Sequence, residues 1–133
     1  MMRDLKDNID AVPTIAPLSA VRATGTTTGN TVDLQGYDAA VAVFNAGAWT
    51  DGTHTPALFD SSDNVTFNAV PAANLQGAFT AVSSAVGQNA IQRVGYVGPN
   101  RYLRGSLVGA GITNGMPSDM IVIRGSPRVK PLP

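Results

Sequence analysis

The residues best suited to chemistry are a histidine, an aspartate three positions before it and a nearby pair of serines. His54 is the only histidine of the chain, and Asp51 could orient it as a general base. Ser61 or Ser62 could then supply a nucleophile. The serines stand in no G-x-S-x-G turn, however, and the histidine lies in a stretch rich in Gly and Thr. The sequence therefore predicts a solvated loop histidine and no catalytic residues.

A second candidate is the acidic turn at residues 60–64, with the sequence DSSDN. Its carboxylate, hydroxyl and amide oxygens are ligands that calcium accepts. The segment lacks the twelve-residue EF-hand pattern and its closing glutamate, and such residues commonly bond their own backbone in a turn. The chain has no cysteine, which excludes thiolate metal sites and disulfides. The sequence predicts an ordinary turn, without a metal and without a cofactor.

Acidic and basic residues are segregated along a chain of zero net charge, which has nine of each. No Lys or Arg occurs between residues 23 and 92, where five aspartates fall. Basic residues dominate the last third, namely Arg93, Arg101, Arg104, Arg124, Arg128 and Lys130. These arginines could contact other subunits, pair with aspartates of the same chain, or bind nucleic acid. The zero net charge, the two lysines and the lack of an aromatic run argue against nucleic acid.

The composition indicates strands rather than helices. Only 14% of the 133 residues are charged, there is no glutamate, and Gly, Thr, Ser, Ala and Val are abundant. We predict one all-β domain, a jelly-roll-like β-sandwich of about eight to ten short strands with extended N- and C-terminal arms. A neutral surface of low charge also predicts that much of it contacts other subunits.

The predicted strands are centred on residues 90–108, which we interpret as a hairpin turning at Gly98-Pro99-Asn100. A second hairpin turns at residues 61–64, with Val65, Phe67 and Ala69 facing the core. The apolar run at 39–46 predicts a central strand buried on both faces. Loops are predicted at 24–30 and 47–56, and the other predicted strands are 18–24, 31–34, 78–82 and 119–124.

The two ends differ from the middle. Residues 1–17 form a predicted arm, with a brief helical turn over residues 4–12 that places Leu5, Ile9 and Val12 on one side and ends at Pro13. We expect this arm to dock on a neighbouring subunit. Residues 18–124 are the predicted sandwich, and residues 125–133 are a proline-rich tail that lies extended on a surface. Neither a signal peptide nor a membrane span is predicted.

Four segments carry a resemblance to a known family. They are VDLQGYDAA (32–40), FDSSDNVTFNAV (59–70), QRVGYVGPNRYLR (92–104) and RGSPR (124–128). In their order the chain resembles small structural proteins of tailed-phage heads, and among these the jelly-roll-like capsid decoration, or cement, proteins.

The resemblance implies a non-enzymatic virion protein on the capsid surface, made in the cytoplasm of the host bacterium. It would bind the major capsid protein and bridge neighbouring capsid subunits, as a homo-oligomer (a dimer or trimer), without contacting nucleic acid or membrane. The arm, the arginines and the tail would make the contacts. Their candidate residues are Arg3, Leu5, Ile9, Arg93, Arg101, Arg104, Arg124, Arg128 and Lys130.

Two alternatives stay open. The chain could be another head or tail component, such as a neck or tail-completion protein. It could also be a glycan-binding β-sandwich, because the middle segment is similar to a strand-turn-strand of carbohydrate-binding jelly rolls. Such modules stack sugar rings on exposed aromatic side chains, for which Trp49 and Tyr37 are the candidates here.

Overall fold

A computed structural model describes residues 3–16 and 24–129. These residues form ten strands and three short 3-10 turns, the latter at Lys6–Asn8, Ala72–Asn74 and Ala85–Gly87. The strands are β1 (Ile9–Ile15), β2 (Gly25–Thr28), β3 (Val32–Asp33), β4 (Tyr37–Ala46), β5 (Thr53–Ser61), β6 (Asn68–Ala69), β7 (Leu75–Gln76), β8 (Ile91–Tyr96), β9 (Tyr102–Ala110) and β10 (Ser118–Pro127).

The strands are arranged in two antiparallel sheets. Sheet A has the order β1-β10-β4-β8-β7, and sheet B has the order β2-β9-β5-β6, with β3 added to β9. The pairing is nested, since β1 pairs with β10, β2 with β9, β4 with β8 and β5 with β6. The chain is thus one long hairpin rolled into two sheets, which is the arrangement of a jelly roll. The predicted all-β sandwich of about eight to ten strands is confirmed.

The core lies between the inner faces of the two sheets. Sheet A contributes Phe44, Val94 and Val122, and sheet B contributes Leu103 and Leu107, all fully buried. Because side chains alternate along a strand, the residues next to them in sequence point away from the core. The candidate surfaces described below consist of those outward residues.

The connection around Gly98-Pro99-Asn100 passes from one sheet to the other. It follows β8, which pairs with β4 and β7 in sheet A, and leads into β9, which pairs with β5 and β2 in sheet B. The two predicted strands and their turn are present, but the prediction that they pair as a hairpin is wrong. The turn residues reverse the chain, whereas the pairing partners are set by the strands on either side.

Tyr96 holds this crossing in place. Its hydroxyl donates to the buried carboxylate of Asp60 in β5 at 2.8 Å and accepts the Asn100 N–H at 3.1 Å. Burial, and then the hydrogen bond to Asp60, raises the pKa of Tyr96. Gly98 packs closely against the ring. A larger residue would not fit there without a shift, because its Cβ would lie 2.5 Å from the tyrosine oxygen. One side chain therefore joins sheet A, sheet B and the connection between them.

Thr14 joins the two sheets elsewhere. Its buried hydroxyl accepts the N–H of Gly105 in β9 at 2.8 Å and donates to the carbonyl of Asn30 at 2.7 Å. Gly105 allows this close approach, because a Cβ there would lie 2.5 Å from the sulfur of the buried Met120 and would force that side chain to move. Strand β1 is thus tied to β9 of sheet B as well as to β10 of sheet A.

The first residues differ from their prediction. The helical turn expected over residues 4–12 is limited to the 3-10 turn at Lys6–Asn8, and the chain then continues as β1. Ile9 and Val12 instead pair with Gly125 and Val122 of β10. Pro13 lies within this strand, at the edge of sheet A, which is where a strand tolerates a residue without an N–H.

Several other predicted elements are corrected. The predicted loop at 24–30 contains β2, and the predicted strand at 18–24 lies outside the described residues except for its last position. The predicted strand at 78–82 is reduced to a single bridge between Val82 and His54. Strands at 31–34 and 119–124 are confirmed as β3 and β10, the latter extending from Ser118 to Pro127.

The tyrosine crossing generates a stability prediction. We expect Tyr96→Phe to lower the free energy of unfolding by about 1–3 kcal/mol, because it leaves the buried Asp60 carboxylate and the Asn100 N–H without their partner. Equilibrium unfolding in urea measures the change.

Tyr102→Phe is the matched control, since that hydroxyl makes no hydrogen bond within the described chain. We expect its effect to stay within about 0.5 kcal/mol. Equal losses in the two variants would show that the Tyr96 hydroxyl is not what holds the crossing.

Candidate interaction surface

The residues that could have formed a catalytic site are kept apart by the fold. His54 is fully buried at the start of β5, where its Nε2 lies 3.0 Å from the carbonyl oxygen of Asp51. The prediction of a solvated loop histidine is therefore wrong. Ser61 ends the same strand, seven residues and about 23 Å further on. Its hydroxyl donates to Asp63 at 2.8 Å, so His54 and Ser61 do not meet.

Asp51 orders a neighbouring loop. Its carboxylate accepts the N–H groups of Thr113, Asn114 and Gly115 at 2.7–3.1 Å. The hydrogen bonds from Asn114 and Gly115 contribute most to lowering the pKa of this carboxyl group. Asp51, which the sequence suggested as the residue that orients His54, instead holds the connection between β9 and β10. The sequence carried no signal for this long-range role.

The acidic turn at residues 60–64 satisfies its own oxygens. The Asp63 carboxylate accepts the N–H groups of Val65 and Thr66, both at 2.9 Å, and the hydroxyl of Ser61. These bonds hold residues 63–66 in a turn, so the return strand expected from residue 65 onward is shorter. Val65 is 81% exposed, and only Asn68–Ala69 pairs with β5. The predicted hairpin exists, but Val65 and Ala69 are exposed and Phe67 packs against Arg104 on the outer side of sheet B, so none of the three faces the core. In the described residues no three Asp, Glu, His or Cys side chains are grouped to hold a metal ion.

Three of the candidate arginines have carboxylate partners in this chain. Arg101 binds Asp33 through two nitrogens, at 2.8 and 2.7 Å, and holds the pKa of that carboxyl below its usual value. Arg128 binds Asp38 at 3.0 Å. Arg124 binds Asp10 and also donates to the Asp33 carbonyl at 2.7 Å, with its guanidinium over the ring of Tyr37.

Arg93 and Arg104 have no ion pair within residues 3–16 and 24–129. Arg104, in β9, lies with its guanidinium 3.9 Å from the ring centre of Phe67, and its Nε is buried without a hydrogen-bond partner. Arg93, in β8, is exposed. The two point away from the core on opposite sheets, since β8 belongs to sheet A and β9 to sheet B.

We define face A as the outward residues of sheet A, which the pairing arranges in four rows. The rows are Ile9, Gly125 and Ala39; Ala11, Ile123, Val41 and Gly95; Pro13, Ile121, Val43 and Arg93; and Asp119, Asn45 and Ile91. Apart from Arg93 and Asp119 no member is charged. Ile91 is 68% exposed, and the valines and isoleucines of β4 and β10 are half-buried. Strand β4 is central, but the prediction that both its faces are buried is wrong.

We define face B as the corresponding outward residues of sheet B. They are Thr26, Thr28, Thr55, Ala57, Phe59, Arg104, Ser106 and Val108. Arg104 is the one charged residue among these members from β2, β5 and β9, and the others are hydroxyl-bearing or apolar. On the neighbouring β3, Asp33 points the same way as Arg104 but is paired with Arg101. The sandwich therefore carries few charges on either outer face.

The remaining predicted contact residues are placed as follows. Ile9 belongs to face A, and Arg3 and Leu5 are exposed just before the first 3-10 turn, Leu5 with 63% of its surface accessible. Lys130 lies outside the described residues. Residues 9–15 of the predicted arm and 125–127 of the predicted tail are thus part of sheet A, in β1 and β10.

The aromatic residues that could stack a sugar are separated. Tyr37 starts β4 and Trp49 follows its end, so they lie near opposite ends of a strand about 30 Å long. Arg124 covers one face of the Tyr37 ring, and the Trp49 indole N–H donates to the Gly52 carbonyl at 2.9 Å. A groove of about 590 Å³ borders Tyr37 between Gln35, Gln76 and the crossing at residues 97–101.

Comparison with known proteins found no significant match among protein-family models, curated proteins or solved structures. Within the described chain, no helix has the length and apolar character needed to cross a membrane.

The acidic turn makes a prediction about pH. Hydrogen bonds from Thr66 and Val65 lower the pKa of Asp63 to about 2, below its value in an unfolded chain. The ionised carboxylate therefore stabilises the folded state above about pH 4, and this contribution is lost as the pH falls towards 2. We expect the stability difference between the wild type and Asp63→Asn to be constant near neutral pH and to shrink between pH 4 and 2.

Urea unfolding of both proteins at several pH values measures this difference. Asp4→Asn is the control, because Asp4 is exposed and its carboxylate accepts one long hydrogen bond, from the Asp7 N–H at 3.4 Å. A difference for Asp63→Asn that grows on acidification would contradict the assignment.

Proposed function

We propose that this chain is a non-enzymatic structural protein of a phage virion, which binds the assembled capsid shell and bridges neighbouring capsid subunits. The observation that carries the proposal is that both outer faces of the sandwich are nearly without charge. Three charged side chains, Arg93, Asp119 and Arg104, lie among the residues of face A and face B.

Such faces suit contact with protein more than contact with water. A free domain normally covers its surface with interspersed charges, and contiguous apolar patches mark interaction sites. Arginine is enriched in protein interfaces while lysine is depleted, and this chain has seven arginines and two lysines. Three arginines have carboxylate partners in the chain: Arg101 just before β9, Arg124 within β10 and Arg128 just after β10. Arg93 and Arg104 are left available on the faces.

The fold is compatible with this role. Jelly rolls occur in viral capsid proteins and also in lectins, so the fold alone supports the proposal only by analogy. The sequence resemblance to decoration proteins favours the first of these, as does the separation of Tyr37 from Trp49. The partner expected from the resemblance is the major capsid protein, on the outside of the shell.

Binding to the assembled shell explains how such a protein would stabilise it. A molecule that binds one state of an equilibrium and not the other shifts the equilibrium towards the bound state by mass action. A clamp that contacts two adjacent capsid subunits has its binding surface complete only in the shell. Its binding energy therefore opposes the separation of the subunits.

Arg104 is the residue through which we test shell binding. It lies on face B, is partly desolvated over Phe67 and has no carboxylate partner in the described chain, which are properties of an interface hot spot. We expect Arg104→Glu to weaken binding to empty shells from the same gene cluster by about tenfold or more. Co-sedimentation of the purified chain with shells measures the occupancy.

Arg128→Gln is the matched control, because Arg128 is equally basic but pairs with Asp38 at an exposed position. Arg101 is unsuitable for reversal, since a glutamate there would face Asp33. Wild-type occupancy by Arg104→Glu would remove this arginine from the contact, and a wild-type chain that ignores shells would refute the proposed function.

The alternatives have their own signatures in the same experiments. A purified chain that closes into a ring without shells would favour a neck or tail-completion protein. Specific glycan binding that is lost in Trp49→Ala or Tyr37→Ala would favour a carbohydrate-binding module.

A further inference from the structure

Face A has the composition of a surface that packs against another sheet. Its two central strands present Val41, Val43, Ile121 and Ile123, and β8 adds the exposed Ile91. In β-sandwiches, an apolar sheet face of this kind is covered by a second sheet about 10 Å away. In the described residues sheet B covers the inner face of sheet A and no second sheet covers face A, which leaves this face free for a partner from outside the chain.

The two charges on face A have opposite signs. Arg93 lies on β8 and Asp119 on β10, the two strands that flank the central β4. Neither has an ion pair within the part of the chain that the structure describes. A face with one cation and one anion on opposite sides of its middle strand is complementary to itself.

The geometry fits a two-fold axis that runs parallel to β4. Such an axis places β8 of one copy over β10 of the other. Arg93 shares a row with Ile121, and Asp119 is in the next row, about 7 Å further along β10. An arginine side chain spans this distance, so Arg93 of one copy can reach Asp119 of the second. The symmetry forms this pair twice.

We propose that face A pairs with face A of a second copy of this chain, forming a two-fold symmetric dimer with two reciprocal Arg93–Asp119 ion pairs. The apolar residues of β4 and β10 form its centre. Face B, with Arg104, then points outward on both sides of the dimer. This inference concerns the purified chain alone and does not depend on its binding a capsid.

The size of the face indicates a reversible dimer. Four strands about 4.8 Å apart, each contributing about seven residues, cover roughly 19 by 23 Å. Standard stable interfaces bury about 800 Å² on each partner, so this footprint of roughly 440 Å² is about half the standard size. We therefore expect self-association in the micromolar to millimolar range.

The test is sedimentation equilibrium of the purified full chain between about 10 µM and 1 mM, a range that covers weak dimers. The wild type should shift from monomer to dimer across it. Arg93→Asp and Asp119→Arg should each weaken the dimer by about tenfold or more, because each places two like charges opposite each other. Arg104→Asp, on the other sheet, is the control and should leave the dimer unchanged.

The decisive sample is an equimolar mixture of Arg93→Asp and Asp119→Arg. In a mixed dimer both ion pairs again join opposite charges, so the mixture should associate about as well as the wild type. Because this recovery requires folded partners, it also shows that the single variants lost binding and not structure. A wild type that is monomeric throughout, single variants that dimerise normally, or a mixture that stays monomeric would each overturn the proposal.

Discussion

A hydrogen bond from the Tyr96 hydroxyl to the Asp60 carboxylate joins the two sheets across their interior and constrains the connection between them. Burying a polar group in a sandwich costs free energy unless the group has a hydrogen-bond partner, and each of these two residues is the partner of the other. The same hydroxyl accepts the Asn100 N–H and so fixes the chain where it leaves sheet A for sheet B. The rolled pairing of the strands requires such a crossing, and the tyrosine hydroxyl bonds to both of the parts that it connects.

The fold brings the acidic middle of the chain and its basic end together. The acidic middle and the basic end meet where Asp33 and Asp38 pair with Arg101 and Arg128, near the turn that precedes β4. Exposed ion pairs of this kind contribute little to the free energy of unfolding. They do, however, occupy four charged side chains, which are then less available for contacts with a partner protein. The two outer faces are left with almost none, and that contrast between charged ends and uncharged faces is the basis of both proposals.

Local patterns predicted much of the fold and little of the surface. Alternation and turn residues were sufficient for the sandwich and for most strands, because those signals depend on neighbours in sequence. The partners of β8 and β9 could not be predicted, since a turn such as Gly98-Pro99-Asn100 serves a hairpin and a crossing between sheets equally well. His54 appeared exposed among Gly and Thr residues, but a bridge to Val82 and the bond to Asp51 bury it. Face A could not be predicted for a similar reason. The apolar run of β4 has the same sequence pattern whether its second face is covered by this chain or by another.

The nested pairing also determines the order in which the protein can be completed during synthesis. Strand β10 lies between β1 and β4, and its Arg124 bonds to Asp10, 114 residues earlier in the chain. Until Ser118–Pro127 leaves the ribosome, β1 and β4 have no partner on the edges that β10 later occupies. Such long-range closure makes folding slow, and unpaired apolar strands are prone to aggregate. A nascent chain of this protein thus depends on β10, and a truncation that removes this strand would leave β1 and β4 each without a partner on that side.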